Sequence, residues 1–235
     1  MYNQLPGQVL HCLGTLVLYI VLCLLVLISV WRLVRMPSFV FRKVLHIVAF
    51  TCVSLMILSA ESWQAAALTA LIIAALAYPV LAALETAPWF AKFFVQKSAG
   101  EIKRSCLLLF SMFAVLISIS WGIFNRPNLG VAAILMWGVG DGAAALVGVP
   151  FGRHKVRSRF TDGKKSWEGS AAMFLASFLT GLAVLLLAEK MPFPRAVLTA
   201  GIAAVFAAAT ELVSPSEYDT VTVPLAVMTV LLILG

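Results

Sequence analysis

The chain has 235 residues, 62% of them hydrophobic and 11% charged, with a formal charge of +7; its mean hydropathy is +1.03. Soluble domains are about half apolar and about a quarter charged, so this composition excludes a soluble globular enzyme and, with so few charges, a disordered chain. An integral membrane protein remains, with room for at most about eight or nine spans of about 20 residues and for no sizeable soluble domain.

Eight apolar runs follow in chain order: Val9–Trp31, Phe41–Ala60, Trp63–Leu84, Ser105–Phe124, Leu129–Val149, Gly169–Ala188, Ala196–Val213 and Val221–Leu234. The first is too long for the apolar region of a cleaved signal peptide, and no Lys or Arg precedes it. The last is short for a span. No stretch shows the alternation of a strand. The predicted fold class is therefore all-α: one polytopic membrane domain over residues 1–235, with about eight transmembrane helices.

The loops set the expected orientation. With the N-terminus outside, loops 32–43, 85–104, 150–168 and 214–220 face the cytoplasm and hold 14 of the 17 Lys and Arg residues. Only Arg126, Lys190 and Arg195 fall outside. This asymmetry places both termini outside. It also accounts for most of the positive charge without a nucleic-acid partner, which is not expected. The four cysteines, Cys12, Cys23, Cys52 and Cys106, all lie in apolar runs without a CxxC pair, so neither a disulfide nor a zinc site is expected.

Asp141 lies well inside the fifth run. A carboxylate at mid-span costs about 2.5–3.5 kcal/mol on insertion scales, so it calls for a partner or a metal. Glu211, near the end of the seventh run, raises the same question. Around Asp141, Gly138 and Gly142, and Gly140, Ala144 and Gly148, recur every four residues. Such small faces let helices pack closely, and the glycines beside the carboxylate also let a ligand approach the backbone.

The loop from Phe151 to Glu168 holds six Lys or Arg residues. Asp162-Gly163 reads as a turn, and Ser166 as the N-cap of the next helix. Lys164 and Lys165 then flank a helix N-terminus, whose free N–H groups and dipole favour phosphate. The loop is not a Walker A motif, which would need glycine where Ser158 stands and Ser or Thr where Lys165 stands. A basic loop beside an intramembrane carboxylate suits a nucleotide: carboxylates for Mg²⁺, cations for the phosphates. At the start of the second run, the spacing of Arg42, Lys43 and His46 predicts a shared helical face. Near the C-terminus, Glu211, Ser214, Glu217 and Asp219 gather acids at the same surface, where Asp219 is a candidate to join Asp141 at a metal.

These segments in this order resemble one family. Gly140-Asp-Gly-Ala-Ala-Ala-Leu-Val-Gly148, Phe151-Gly-Arg-His-Lys155 and Lys164-Lys-Ser-Trp-Glu-Gly-Ser170 are similar to the signature of the phytol, farnesol and dolichol kinases. CTP-dependent diacylglycerol kinases and phosphatidate cytidylyltransferases share that signature. Arg42-Lys-Val-Leu-His46 resembles the family's N-terminal Arg-Lys-x-x-His, and Glu211 through Pro224 its C-terminal acidic segment. One departure is Thr220, which follows Asp219 where the family often has Asn. The similarity runs from about residue 42 to residue 225, which delimits the expected catalytic core.

The resemblance implies a membrane kinase that transfers phosphate from a nucleoside triphosphate, usually CTP, to a lipid alcohol, with the active site at the cytoplasmic face. In such an enzyme the residues read above would take these roles: Asp141, with Asp219, would hold Mg²⁺. Gly140, Gly142, Gly152, Arg153, Lys155, Gly163, Lys164, Lys165, Ser166, Glu168 and Gly169 would bind the nucleotide, with Lys165 and Asp141 also catalytic and Glu168 orienting Lys164 or Lys165. Arg42, Lys43 and His46 would meet the lipid substrate. His46 and Glu211 are both candidate bases for its hydroxyl. The alternatives are a phosphatidate cytidylyltransferase, which would join CMP to a lipid phosphate, and a small transporter with Asp141 and Glu211 on an ion path. The acceptor alcohol, the nucleotide and the state of assembly, monomer or homo-oligomer, stay open at this stage.

Overall fold

The computed structural model describes residues 4–34, 37–86, 100–156, 163, 165–215 and 218–235. Among them are eight α-helices: α1 (Leu5–Val34), α2 (Ser38–Ser59), α3 (Trp63–Leu84), α4 (Glu101–Ile117), α5 (Pro127–Phe151), α6 (Trp167–Leu187), α7 (Phe193–Val213) and α8 (Asp219–Leu234). Every expected apolar run became a helix, most of them extended by a few residues. Apolarity marks only the part at lipid depth, while capping residues carry the helix into the interface. Ser62 accepts from the Ala65 N–H and starts α3. Proline stands in the first turn of α5 and of α7, where its missing N–H costs nothing.

Seven of these helices are long and apolar enough to cross a membrane; α8, with 16 residues, falls short by length. Yet α8 retraces the depth of its neighbour α7. It starts six residues after α7 ends, and at its far end Arg195, in the first turn of α7, donates to the carbonyls of Leu234 (3.1 Å) and Gly235 (2.8 Å). At about 1.5 Å per residue α8 is about 24 Å long, a little under the bilayer core.

Helix α5 is central. From Leu129 to Ile134 every residue is buried, as are Met136, Trp137, Gly138, Gly140 and Gly142, the pattern of a helix apolar all round. It makes its largest interface with α6 and also packs on α2 and α8. The α5–α6 contact is one of backbones. A Cβ on Gly148 would stand 3.3 Å from the Gly169 Cα, and one on Gly169 would stand 3.1 Å from the Ala144 carbonyl oxygen. Ser177 Oγ reaches across to the Met136 carbonyl (2.8 Å) through the space that Gly140 leaves open. The small face read from the sequence is thus the seam of the bundle. By contrast α1 buries only Cys12, Leu16 and Leu27 fully, with Val9, Tyr19, Ile20 and Cys23 partly buried against the core.

One irregularity had no counterpart in the apolar pattern. After α4 the chain continues as a six-residue π-helix, Ser118–Ile123. Its wider turn sets Gly122 against the Trp63 ring, where a Cβ would stand 3.0 Å from the indole.

Candidate active site

At the end of the bundle where α2, α6 and α8 begin and α5 and α7 end, a cavity of about 380 Å³ opens. Each helix brings residues to it at helical spacing. From α2 come Lys43 and His46; from α5 Asp141, Ala144, Ala145, Gly148 and Val149; from α6 and its N-cap Ser166, Gly169, Ser170 and Met173; from α7 Glu211; from α8 Asp219, Thr220 and Val223. Trp137, one turn deeper than Asp141 on α5, also lines it.

Asp141 has the partner that its depth demands. Its Oδ2 accepts from Lys43 Nζ at 2.8 Å. His46 Nε2 lies 3.2 Å from the same oxygen, but is buried and not aligned for a hydrogen bond. Lys165 is more enclosed, its side chain only 8% exposed. Its Nζ lies 3.2 Å from Glu211 Oε1 and 3.6 Å from Asp219 Oδ2, and donates to the Glu211 main-chain carbonyl. Ser170 Oγ is 3.5 Å from the other Glu211 oxygen. Two ammonium groups and three carboxylates therefore face one small space. Such a buried charge set holds together only as a paired whole, because a charge left alone there keeps its full desolvation penalty.

The loop neck positions Lys165. Residues 155 and 166 form an antiparallel β-bridge, with the Val156 N–H donating to the Lys165 carbonyl (2.9 Å) and the Trp167 N–H to the His154 carbonyl (3.1 Å). Ser166 caps α6, accepting from the Gly169 N–H at 3.2 Å, as its place in the sequence implied. Glu168 does not reach Lys165. It accepts from the His154 main-chain N–H (3.2 Å) and meets His154 Nδ1 at 2.7 Å. On the first turn of α6 it points back over the loop, away from the cavity. At the far side, Ser214 Oγ and Thr222 Oγ1 are 2.8 Å apart and tie the end of α7 to the start of α8.

Of the residues singled out in the sequence, Lys43, His46, Asp141, Gly148, Lys165, Ser166, Gly169, Glu211 and Asp219 thus come together. Arg42 is exposed and does not line the cavity, and Gly140 and Gly142 sit against Ser177 and Ile47 in helix contacts. Gly152, Arg153, Lys155 and Gly163 are on the loop side rather than in the cavity wall. Gly163 has the positive φ (65°) of a turn glycine. Lys164, Asp162 and Glu217 lie outside the described residues. Ser170, Trp137 and Met173 were not singled out. Their spacing from Ser166 and Asp141 on the same helix faces was the available signal.

Among the described residues no three His, Cys, Asp or Glu side chains form a preassembled metal cage. This suits Mg²⁺ that arrives with a nucleotide, since Mg²⁺ binds through one or two carboxylates plus substrate phosphates rather than through an all-protein cage. Asp141 and Asp219, oxygen donors on the cavity wall, fit that demand.

The fold and this site define a polytopic helical membrane protein with a charged cavity at one end of its bundle. The comparisons narrow the class. A profile described as "Cytidylyltransferase family" matches residues 8–215. A phytol kinase of Synechocystis sp. is 35% identical over 202 residues, covering 83% of this chain and 78% of that protein. A probable chloroplastic phytol kinase of Glycine max is 30% identical over 58% of this chain and 47% of its own length. A probable chloroplastic phytol kinase of Zea mays is 29% identical over 54% of this chain and 42% of its own length. No solved structure matches. The chain belongs to the cytidylyltransferase family, grouped within it with the phytol and polyprenol kinases. It is an integral membrane enzyme of the lipid kinase type.

Proposed function

We propose that the enzyme transfers the γ-phosphate of CTP to an isoprenoid alcohol, phytol or a related prenol, at the cytoplasmic membrane surface. The observation that carries this reading is the cavity itself, where Lys43 and Lys165 stand among Asp141, Glu211 and Asp219 at one end of five helices. The phytol kinases that the chain resembles support the acceptor class. The basic loop supports the cytoplasmic side.

In this reading the alcohol oxygen attacks the γ-phosphorus, the bond from that phosphorus to the β–γ bridging oxygen breaks, and CDP leaves. The hydroxyl proton passes to His46 Nε2. Among the described residues that nitrogen makes no aligned hydrogen bond, Asp141 Oδ2 lying 3.2 Å from it, whereas Glu211 is already engaged by Lys165 and Ser170. Lys165 and Lys43 release their carboxylates and turn to the phosphates. Little covalent chemistry is asked of the protein, because phosphoryl transfer proceeds chiefly by positioning and charge stabilisation. Bound Mg²⁺, held by Asp141 and Asp219, would neutralise charge on the β- and γ-phosphates.

The test uses purified protein in nanodiscs with Mg²⁺ and γ-labelled CTP, ATP, GTP or UTP, offered with phytol, prenols or diacylglycerol. Label entering phytol or a prenol from CTP supports the proposal. The family profile favours one second reading, transfer of CMP to a lipid phosphate. Its products, CDP-lipid and pyrophosphate from α-labelled CTP, would replace the first reading.

A further inference from the structure

The cavity has a closed floor and an apolar sill. Its deepest residues, Trp137, Met173 and Val223, are buried at 3%, 0% and 1% exposure, while Lys43 and Asp141 above them remain part-exposed. Beneath Trp137 lies an aromatic plug. Phe50 meets the indole edge-on at 4.6 Å and Phe113 edge-on at 4.9 Å. Phe50 is pressed onto α5 at Gly138, where even a Cβ would collide with its ring. A long chain therefore has no path down into the bundle. The volume, about 380 Å³, is at the low end for a site that encloses one small ligand. It cannot enclose both the phosphate end of a nucleotide and a long isoprenoid. Among the lining residues Val149 stands apart: it is apolar and 67% exposed. On its α6 side the wall is shut where Gly148 meets Gly169. Val149 shares a face of α5 with Gly142, two turns earlier, and Gly142 packs against Ile47 of α2, so the opening at Val149 lies on the α2 side.

Resting on the kinase reading above, we infer that the site encloses only the hydroxyl-bearing isoprene unit of the alcohol, with Trp137 as the floor that limits it and the tail leaving into the bilayer past Val149. The enzyme would then discriminate the first unit and ignore tail length, since a pocket that excludes the tail gains nothing from it, whereas one group in an enclosed apolar pocket changes kcat/KM by roughly 10–200-fold.

The experiment compares alcohols at equal surface concentration in nanodiscs. Geraniol, farnesol, geranylgeraniol and a long polyprenol share the first unit and differ in length; geraniol and citronellol share length and differ in first-unit saturation. The expected result is kcat/KM constant within about threefold along the length series, with geraniol and citronellol at least about tenfold apart. Trp137→Ala should collapse that tenfold gap without altering the KM for CTP. Trp137→Phe, which keeps an aromatic floor, should narrow it and covers failure of the alanine variant to fold. Val149→Trp should depress the long polyprenol at least tenfold more than geraniol. A tenfold optimum at one tail length, or Val149→Trp slowing all alcohols equally, overturns the inference while leaving the kinase reading intact. Absence of phosphorylation of any alcohol from any nucleotide removes that reading and this inference with it.

Discussion

The charged side chains of the cavity fall into a pair and a triad with different burdens. Asp141 lies at the depth of a span and is matched by Lys43 at 2.8 Å. Asp141→Asn keeps its shape and an oxygen that can accept from Lys43. It should therefore remain folded, with a melting temperature lowered because Lys43 loses its counter-charge, while kcat falls at least about 100-fold, the usual effect of losing one preorganised charge. Wild-type turnover in this variant would remove Asp141 from the chemistry. Lys165 is buried among Glu211 and Asp219, so Lys165→Ala should abolish transfer and also destabilise by about 3–5 kcal/mol, because it strands two carboxylates. Denaturation in detergent would measure that loss. His46→Gln should lower kcat by about 10²–10⁴ with little change in the KM for CTP if His46 is the base; an unchanged kcat would return the role to Glu211. Asp141 and Glu211 were legible as charges out of place in apolar runs, and Lys165 and Asp219 as charges in the loops beside them. That Lys43 rather than the adjacent Arg42 faces Asp141 was not, because spacing alone gives both a place near the shared face.

Among the elements, α5 and α6 bear most of the construction. Their backbones touch at Gly148 and Gly169, and Ser166 caps α6 against the same contact. Gly148→Val should force the helices apart, lower stability by about 1–3 kcal/mol and raise the KM for nucleotide, since Lys165 and Gly148 share the cavity wall. Ser166→Ala removes a cap worth about 1 kcal/mol and should lower the melting temperature without abolishing activity. Helix positions were legible because lipid depth demands an apolar run with no break, and Ser166 was legible because a hydroxyl before an apolar run is a start signal. The π-helix at Ser118–Ile123 was not, because it answers to the Trp63 ring on α3, far away in sequence. The same holds for Glu168: its motif position suggested a partner among the lysines, but the loop neck brings His154 to it first.

On the scale of the molecule, the two ends of the bundle differ in kind. One carries the cavity. The other is closed by polar ties: Arg126 to Glu189 at 2.6 Å, Gln8 to Glu61 at 3.0 Å, and Arg195 to the end of α8. If the cavity end is cytoplasmic, a single cysteine placed at Lys190 should react with a membrane-impermeant maleimide in intact cells, and one placed at Lys155 only after lysis. The reverse pattern would invert the topology.

Composition and periodicity by themselves determined that this is a helical membrane protein, where its helices run and which charges are anomalous, because each of these follows from the energetics of a single segment in lipid. Tertiary structure decided the rest. Which carboxylate meets which lysine, how a 16-residue helix matches the depth of α7, and where the cavity has its floor all depend on contacts between segments. Those contacts are set by small differences in side-chain volume at the helix seams, such as a missing Cβ at Gly138 or Gly148, that no one segment contains.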